Sequence, residues 1–175
     1  ASDGSGNIRS NLRMALQILK SAGYKIKANK AISPRTGNAV KFEILLVSPA
    51  FERIATPFVK NLSRLGIEAN IRTVDQSQYI NRVRSFDFDM IVTTFGQSES
   101  PGNEQRDYWS SAAAERVGGR NVIGIKDPAI DALIENVVNA KNRKSLIHAT
   151  RALDRVLLWN HFVVPQWHVR KDRIA

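Results

Sequence analysis

The hydrophobic pattern changes period several times along the chain. Between residues 8 and 22, Ile8, Leu12, Ala15, Leu16 and Leu19 form one apolar stripe at helical spacing. Asn7 reads as the N-cap and Gly23 as the residue just past the end. From Tyr24 to Val40 the pattern is broken by Asn29, Pro34, Gly37 and Asn38, which predicts a small hairpin. Val40 to Val47 is almost continuously apolar, as a strand covered on both faces would be. Ser48-Pro49 then supplies an N-cap and first-turn pair for a helix reaching Leu65 and stopping at Gly66, with a kink expected at Pro57. Ile67 to Val74 alternates Ile67, Ala69, Ile71 and Thr73 against Glu68, Asn70 and Arg72, a strand period. Asp75 with Gln78 three residues on resembles a capping box and opens a helix through Arg84. Phe88 to Thr94, with Ile91, Val92, Thr93 and Thr94, is a third strand.

The order β-α-β-α-β with short connections predicts an α/β fold with a mainly parallel sheet and flanking helices. In open sheets of this kind ligands bind outside the carboxyl ends of the strands, here Ser48, Asp75 and the residues after Thr94. Only the last is followed by a long segment, polar and punctuated by Gly96, Pro101 and Gly102. A loop of that length is functional or disordered. Its amides, hydroxyls and flanking rings suit a ligand-facing edge, and a short helix is expected to begin at Tyr108 and Trp109. Farther on, Asp127-Pro128 opens a helix with Ile130, Leu133, Ile134 and Val137 on one face. A second helix from about Arg143 carries Leu146, Ala149, Leu153, Val156 and Leu157, with Trp159 expected in the core. The two are expected to pack as an antiparallel pair against the sheet. The closing HFVVPQWHVRKDRIA reads as an edge strand because of Pro165.

Composition narrows the chemistry. At 175 residues with 43% hydrophobic and 24% charged positions, the chain reads as one globular domain, residues 1–175. No apolar run approaches the roughly 18 residues of a membrane-spanning helix. The opening ASDGSGN has no basic region followed by an apolar one, as expected for a cytosolic, mature or excised chain. The absence of cysteine excludes disulfides, thiolate metal sites and cysteine nucleophiles. The net charge of +10 raises a competing function, a stand-alone basic α/β domain binding nucleic acid or another acidic polymer. The cations are scattered, however, which favours a solvated basic surface.

His148, His161 and His168 form no metal-ligand spacing, and there is no phosphate loop, dinucleotide fingerprint or nucleophile elbow. Asp87 and Asp89 share one side of a strand entrance and are expected to be solvated. No nucleophile, base and orienting group assemble, so neither an enzyme, a metal nor a cofactor is expected. The candidate ligand-binding residues lie mostly in the long loop. Gln97, Ser98 and Asn103 suit hydrogen bonding to a peptide backbone, or to the loop's own backbone. Phe95 and Trp109 suit a side-chain pocket or an anchor on the core, and Trp167 is a further cleft candidate. Arg106 is expected to pair with Asp107, or to meet a ligand carboxylate.

ALQILKSAGY at 15–24, the strand–helix–strand–helix–strand segment at 37–90, DPAIDALI at 127–134 and RALDRVLLWNHFVVPQWH at 151–168 together resemble the family-5 extracellular solute-binding proteins of ABC peptide importers. GQSESPGNEQRDYW at 96–109 is most similar to the subgroup linked to peptides and peptide-like antibiotics of the microcin C type. The resemblance implies a periplasmic, non-enzymatic protein with two lobes closing on an extended peptide, working with an ABC permease complex in the inner membrane. This chain resembles the larger part of the second lobe, so an excised piece is expected, with the first lobe missing and no nucleic-acid partner. Many oligopeptide binders carry an Asp after the third strand that pairs with the ligand's amino terminus. Here Ser98 and Glu99 stand at that place, and Glu99 either supplies the charge or is a solvated loop residue.

Overall fold

The structure is a computed structural model that describes residues 6–98 and 100–166. Its order is α1 (Ile8–Ser21), β1 (Lys25–Lys27), β2 (Lys30–Ile32), β3 (Lys41–Leu46), a 3-10 turn (Pro49–Phe51), α2 (Glu52–Ser63), β4 (Glu68–Thr73), α3 (Gln76–Arg84), β5 (Met90–Ile91), α4 (Glu104–Trp109), α5 (Ser111–Ala114), α6 (Pro128–Val138) and α7 (Arg143–Trp159). Two compact units result: residues 1–83 with 87–94, and residues 84–86 with 95–175.

In the first unit β3 is the central strand, flanked by β4 and β5. Both pairings are parallel, Lys41 to Leu46 against Glu68 to Thr73, and Ile44 and Leu45 against Met90 and Ile91. Being covered explains the apolar run: Ile44, Leu45 and Leu46 are all buried. In β4, whose pattern alternates, Ala69 is buried and Ile71 and Thr73 are half-buried, while Glu68, Asn70 and Arg72 are exposed. Ser48 and Asp75 cap as expected, although Ser48 opens the 3-10 turn that precedes α2. The Ser48 hydroxyl accepts from the Ala50 N–H, Asp75 Oδ1 accepts from the Gln78 N–H at 2.9 Å, and α2 continues through Pro57. The third strand is much shorter than Phe88–Thr94. Asp89 Oδ2 takes the Glu43 N–H at 2.9 Å, so a side chain occupies a donor of β3 just before the Ile44–Met90 pair. Asp87 is likewise engaged, by Arg82 at 2.9 Å.

The hairpin turns at Ala28 and Asn29, both left-handed at φ 46° and 60°, as a two-residue turn matching the strand twist requires. It is stitched to the sheet where the Ala31 N–H donates to Gly66 O and the Val40 N–H donates to Ala31 O, each 2.8 Å. Gly66 holds φ +79°, and a Cβ there would stand 2.7 Å from the Ala31 nitrogen.

In the second unit α6 and α7 bury Ile130, Ile134, Val137 and Leu153 against Tyr108, Trp109 and Ile125. This apolar cluster contains no strand residue. Within this unit α4 and the 123–125 segment supply the helix pair's apolar partners. Asp127 caps α6 by accepting from the Ala129 N–H, and Asn142 with Ser145 forms a reciprocal capping box on α7. Asn121, 1% exposed, donates to Ser110 O and Ile125 O and accepts from the Gly124 and Ile125 N–H groups. One amide thus ties the start of α5 to the approach to α6. Trp159, expected in the core, is 74% exposed, because it is the last residue of α7 and lies about 120° around the helix from the buried Leu153. The part of the expected closing strand that is described, residues 161–166, is not a strand, although Phe162 and Val163 pack on the cluster.

Replacing Gly66→Ala is expected to lower stability by at least about 1–2 kcal/mol, the cost of a left-handed alanine, and to loosen the hairpin at Ala31. The denaturation midpoint and hydrogen exchange of the Ala31 amide check this.

Candidate functional site

The candidate site is built on α4. This helix was expected to start at Tyr108–Trp109 but ends there, because its polar first turn hides the inward face. Gln105, Tyr108 and Trp109, at i, i+3 and i+4, are 5%, 3% and 6% exposed. Glu104 closes the first turn by accepting the Gly102 N–H at 2.9 Å. Burial pushes the Glu104 carboxyl up, but hydrogen bonds from the Gly102 and Glu104 N–H groups and the Gln105 amide outweigh it and hold the group below its ordinary value.

Three consecutive loop residues are fixed on this helix by three different interactions. The Phe95 ring packs 4.6 Å from that of Trp109 and edge-on to Tyr108 at 5.4 Å. The Gly96 carbonyl accepts from the Tyr108 hydroxyl at 3.1 Å. Gln97 Oε1 accepts from Gln105 Nε2 at 2.7 Å, while Gln105 Oε1 accepts from Trp109 Nε1 at 3.1 Å. Arg120 lies 4.7 Å from the Tyr108 ring centroid, a cation–π contact. Trp109 is buried and Phe95 half-buried against it. Gln105 and Tyr108 were missed by sequence reasoning, although their spacing with Trp109 was the available signal.

Beyond the anchor the loop is exposed at Gln97, Ser98, Ser100 and Asn103. Ser98 Oγ accepts from the Ser100 N–H at 3.2 Å, and Asn103 Oδ1 accepts from Arg106. Each of the side-chain oxygens of Gln97, Ser98 and Asn103 therefore accepts one hydrogen bond within the chain. Their donors, two side-chain amide NH₂ groups and one hydroxyl proton, have no partner among the described residues. The rim therefore presents hydrogen-bond donors, alongside the second lone pair of each oxygen. Glu99 and Trp167 lie outside the described residues.

Arg106 and Asp107 do not pair, since adjacent helical residues diverge by about 100°. Arg106 instead makes a two-pronged contact with Glu135, Nε to Oε1 at 2.7 Å and an NH₂ to Oε2 at 2.6 Å, and Asp107 meets Arg116 at 3.1 Å. The hydrogen bond from Arg106 holds the Glu135 carboxyl below its ordinary value despite opposing desolvation. Arg106 and Glu135 also border an open recess of about 360 Å³ with Ser110, Ala112, Asp131, Ala132 and Ile134. Its other carboxylate, Asp131, is already bound by the Ser111 N–H and hydroxyl at 2.8 and 2.6 Å.

The family follows from sequence. Residues 2–116 match the model for the bacterial extracellular solute-binding proteins, family 5, middle region, and the chain belongs to that family. Fold and family are those of substrate-binding proteins. The chain is 53% identical over 95% of its length to the uncharacterized protein y4wM of Sinorhizobium fredii, covering 25% of that protein. It is 50% identical over 91% of its length to the probable peptide-binding protein YejA of Agrobacterium fabrum, covering 26% of it. The chain thus spans about a quarter of the length of these relatives. The oligopeptide-binding protein AppA of Bacillus subtilis, solved with a nonapeptide, shares the fold at a TM-score of 0.73 and 21% identity, over 86% of this chain and 30% of that one.

Replacing Gln105→Leu strands the Trp109 indole N–H and releases Gln97. A loss of about 1–3 kcal/mol in unfolding free energy is expected, read from chemical denaturation. The Arg106–Glu135 contact predicts a pH effect. Because the folded-state pKa of Glu135 is depressed, its stabilisation is complete above the ordinary glutamate range and disappears as pH falls through the lower, folded value. Glu135→Gln should flatten this part of the acid limb in melting temperature against pH at low salt, with little change at neutral pH in the slope itself.

Proposed function

We propose that this chain forms one wall of the ligand cleft in a longer periplasmic peptide-binding component of an ABC importer. The observation that carries the reading is the donor rim, Gln97, Ser98 and Asn103, whose oxygens each accept one hydrogen bond internally and whose base is held by Phe95, Tyr108, Gln105 and Trp109. Peptide carbonyls are acceptors repeated along a chain, so an exposed row of donors reads backbone rather than side chains. The probable peptide-binding relative and the peptide-bound structural neighbour support this cargo class. Within it, oligopeptides and peptide-like antibiotics of the microcin C type fit the resemblance of the 96–109 segment.

In this reading the loop meets cargo carbonyls, and the cargo's amino terminus is left to Glu99. Arg106, held by Glu135, positions Asn103 rather than seeking a ligand carboxylate. Phe95 and Trp109 act from beneath, and Trp167 stands as a second contact. Closure of a partner lobe from elsewhere in the polypeptide traps the peptide, driven by its differential affinity for the closed state.

The test keeps the internal acceptors and removes the donors. Gln97→Glu with Asn103→Asp preserves an oxygen for Gln105 and for Arg106 but replaces each NH₂ with an acceptor. In the longer polypeptide, calorimetric titration with short peptides should show dissociation constants raised roughly 5- to 30-fold, on the order of one to two lost hydrogen bonds, at unchanged melting temperature. Unchanged affinity removes this loop from the cleft.

A further inference from the structure

The outward side of α7 carries a row of cations that the peptide-binding reading does not use. At about 100° per residue, Lys144, His148, Arg151, Arg155, Leu158 and Trp159 fall in one sector of about 100°, and all six are exposed. Leu146, Ala149, Leu153, Val156 and Leu157 occupy the core side. Lys144 to Arg155 covers about 16 Å along the axis at 1.5 Å per residue. Asp154, the helix's one carboxylate, lies outside that sector.

Among the described residues Arg72, Arg82, Arg106, Arg116 and Lys126 meet a carboxylate, while many exposed cations, the hairpin lysines included, do not. Lys144, Arg151 and Arg155 meet none among the described residues. Like charges at this spacing repel one another. The row ends in an indole that is 74% exposed beside a leucine that is 46% exposed. Cations in line with a terminal Trp–Leu pair match a surface that is anionic outside and apolar just beneath. An acidic protein or a soluble polyanion satisfies the cations but leaves the apolar pair without a role. Headgroup phosphates and the interface below them satisfy both, because indole rings settle at headgroup depth.

We propose that the outer face of α7 docks lengthwise on an anionic lipid bilayer, with Lys144, Arg151 and Arg155 on headgroup phosphates and Trp159 and Leu158 entering the interface. No helix among the described residues is long and apolar enough to cross a membrane, so the association is peripheral and reversible. It is independent of the donor rim and of the cargo.

The test is co-sedimentation of the chain with vesicles of phosphatidylglycerol and phosphatidylcholine in equal parts, against phosphatidylcholine alone. Binding is expected only to the anionic vesicles, weakening as salt rises, with a blue shift of tryptophan emission that Trp159→Ala removes. The triple variant Lys144→Gln, Arg151→Gln, Arg155→Gln should lower the partition constant on the order of 100-fold, at about fivefold per cation near the surface. The control Lys25→Gln, Lys27→Gln, Lys30→Gln removes the same charge from the exposed hairpin and should lower it less than about fivefold. Circular dichroism establishes that both triples fold.

Equal losses in the two triples would mean that diffuse net charge binds, and would overturn the proposal. So would equal binding to neutral vesicles, or an emission shift that survives Trp159→Ala. Repeating the pair of triples in the longer polypeptide should preserve their contrast. Loss of the contrast there would place this face against the rest of the protein and would also overturn the proposal.

Discussion

The side-chain amide of Gln105 holds together the base of the proposed ligand-facing loop. It is almost fully buried, yet both ends are used: Oε1 receives the Trp109 indole N–H, and Nε2 donates to Gln97 and Glu104. A buried polar group must be satisfied to be tolerated, so its partners are constrained as tightly as the amide. Phe95 and Gly96 are fixed alongside by the Trp109 and Tyr108 rings and the tyrosine hydroxyl. A loop that composition alone leaves undetermined is thus held at its base by packing and hydrogen bonds together.

That economy explains the character of the exposed rim. The chain takes one acceptor oxygen each from Gln97, Ser98 and Asn103 for its own structure and leaves the donors. Binding surfaces with pre-positioned groups lose less conformational entropy on association. Arg106 contributes indirectly, because its guanidinium is oriented by both oxygens of Glu135 while also donating to Asn103. In the proposed reading, folding uses acceptor capacity of these side chains and recognition uses their donors.

A similar division runs through the sheet. The central β3 has full parallel partners in β4, whereas β5 contributes only Met90 and Ile91. Asp89, beside it, spends its carboxylate on the Glu43 N–H, a side chain doing what backbone does elsewhere in a ladder. The apolar content of Phe88 to Thr94 is still used, since Met90 and Val92 pack on the core around Ile44, Leu46 and Ala55. Hydrophobic sequence specified burial there more than it specified strand.

The sequence by itself determined what depends on local spacing. The parallel β-α-β-α-β order, the Ser48, Asp75 and Asp127 caps and the inward faces of α6 and α7 were all legible, because period and capping chemistry act within a few residues. The family resemblance was legible for the same reason, being carried by contiguous segments. Contacts between distant residues decided the rest. That Arg106 meets Glu135 and not its neighbour Asp107, that Gln105 is buried in a polar turn, that Asn121 joins Ser110 to Ile125 and that Trp159 is exposed follow from where helices lie in space. Polar side chains carry no periodic signal of their own partners. Only the packed structure brings donor and acceptor within reach, and only there does it become visible which groups the fold has used and which it leaves exposed.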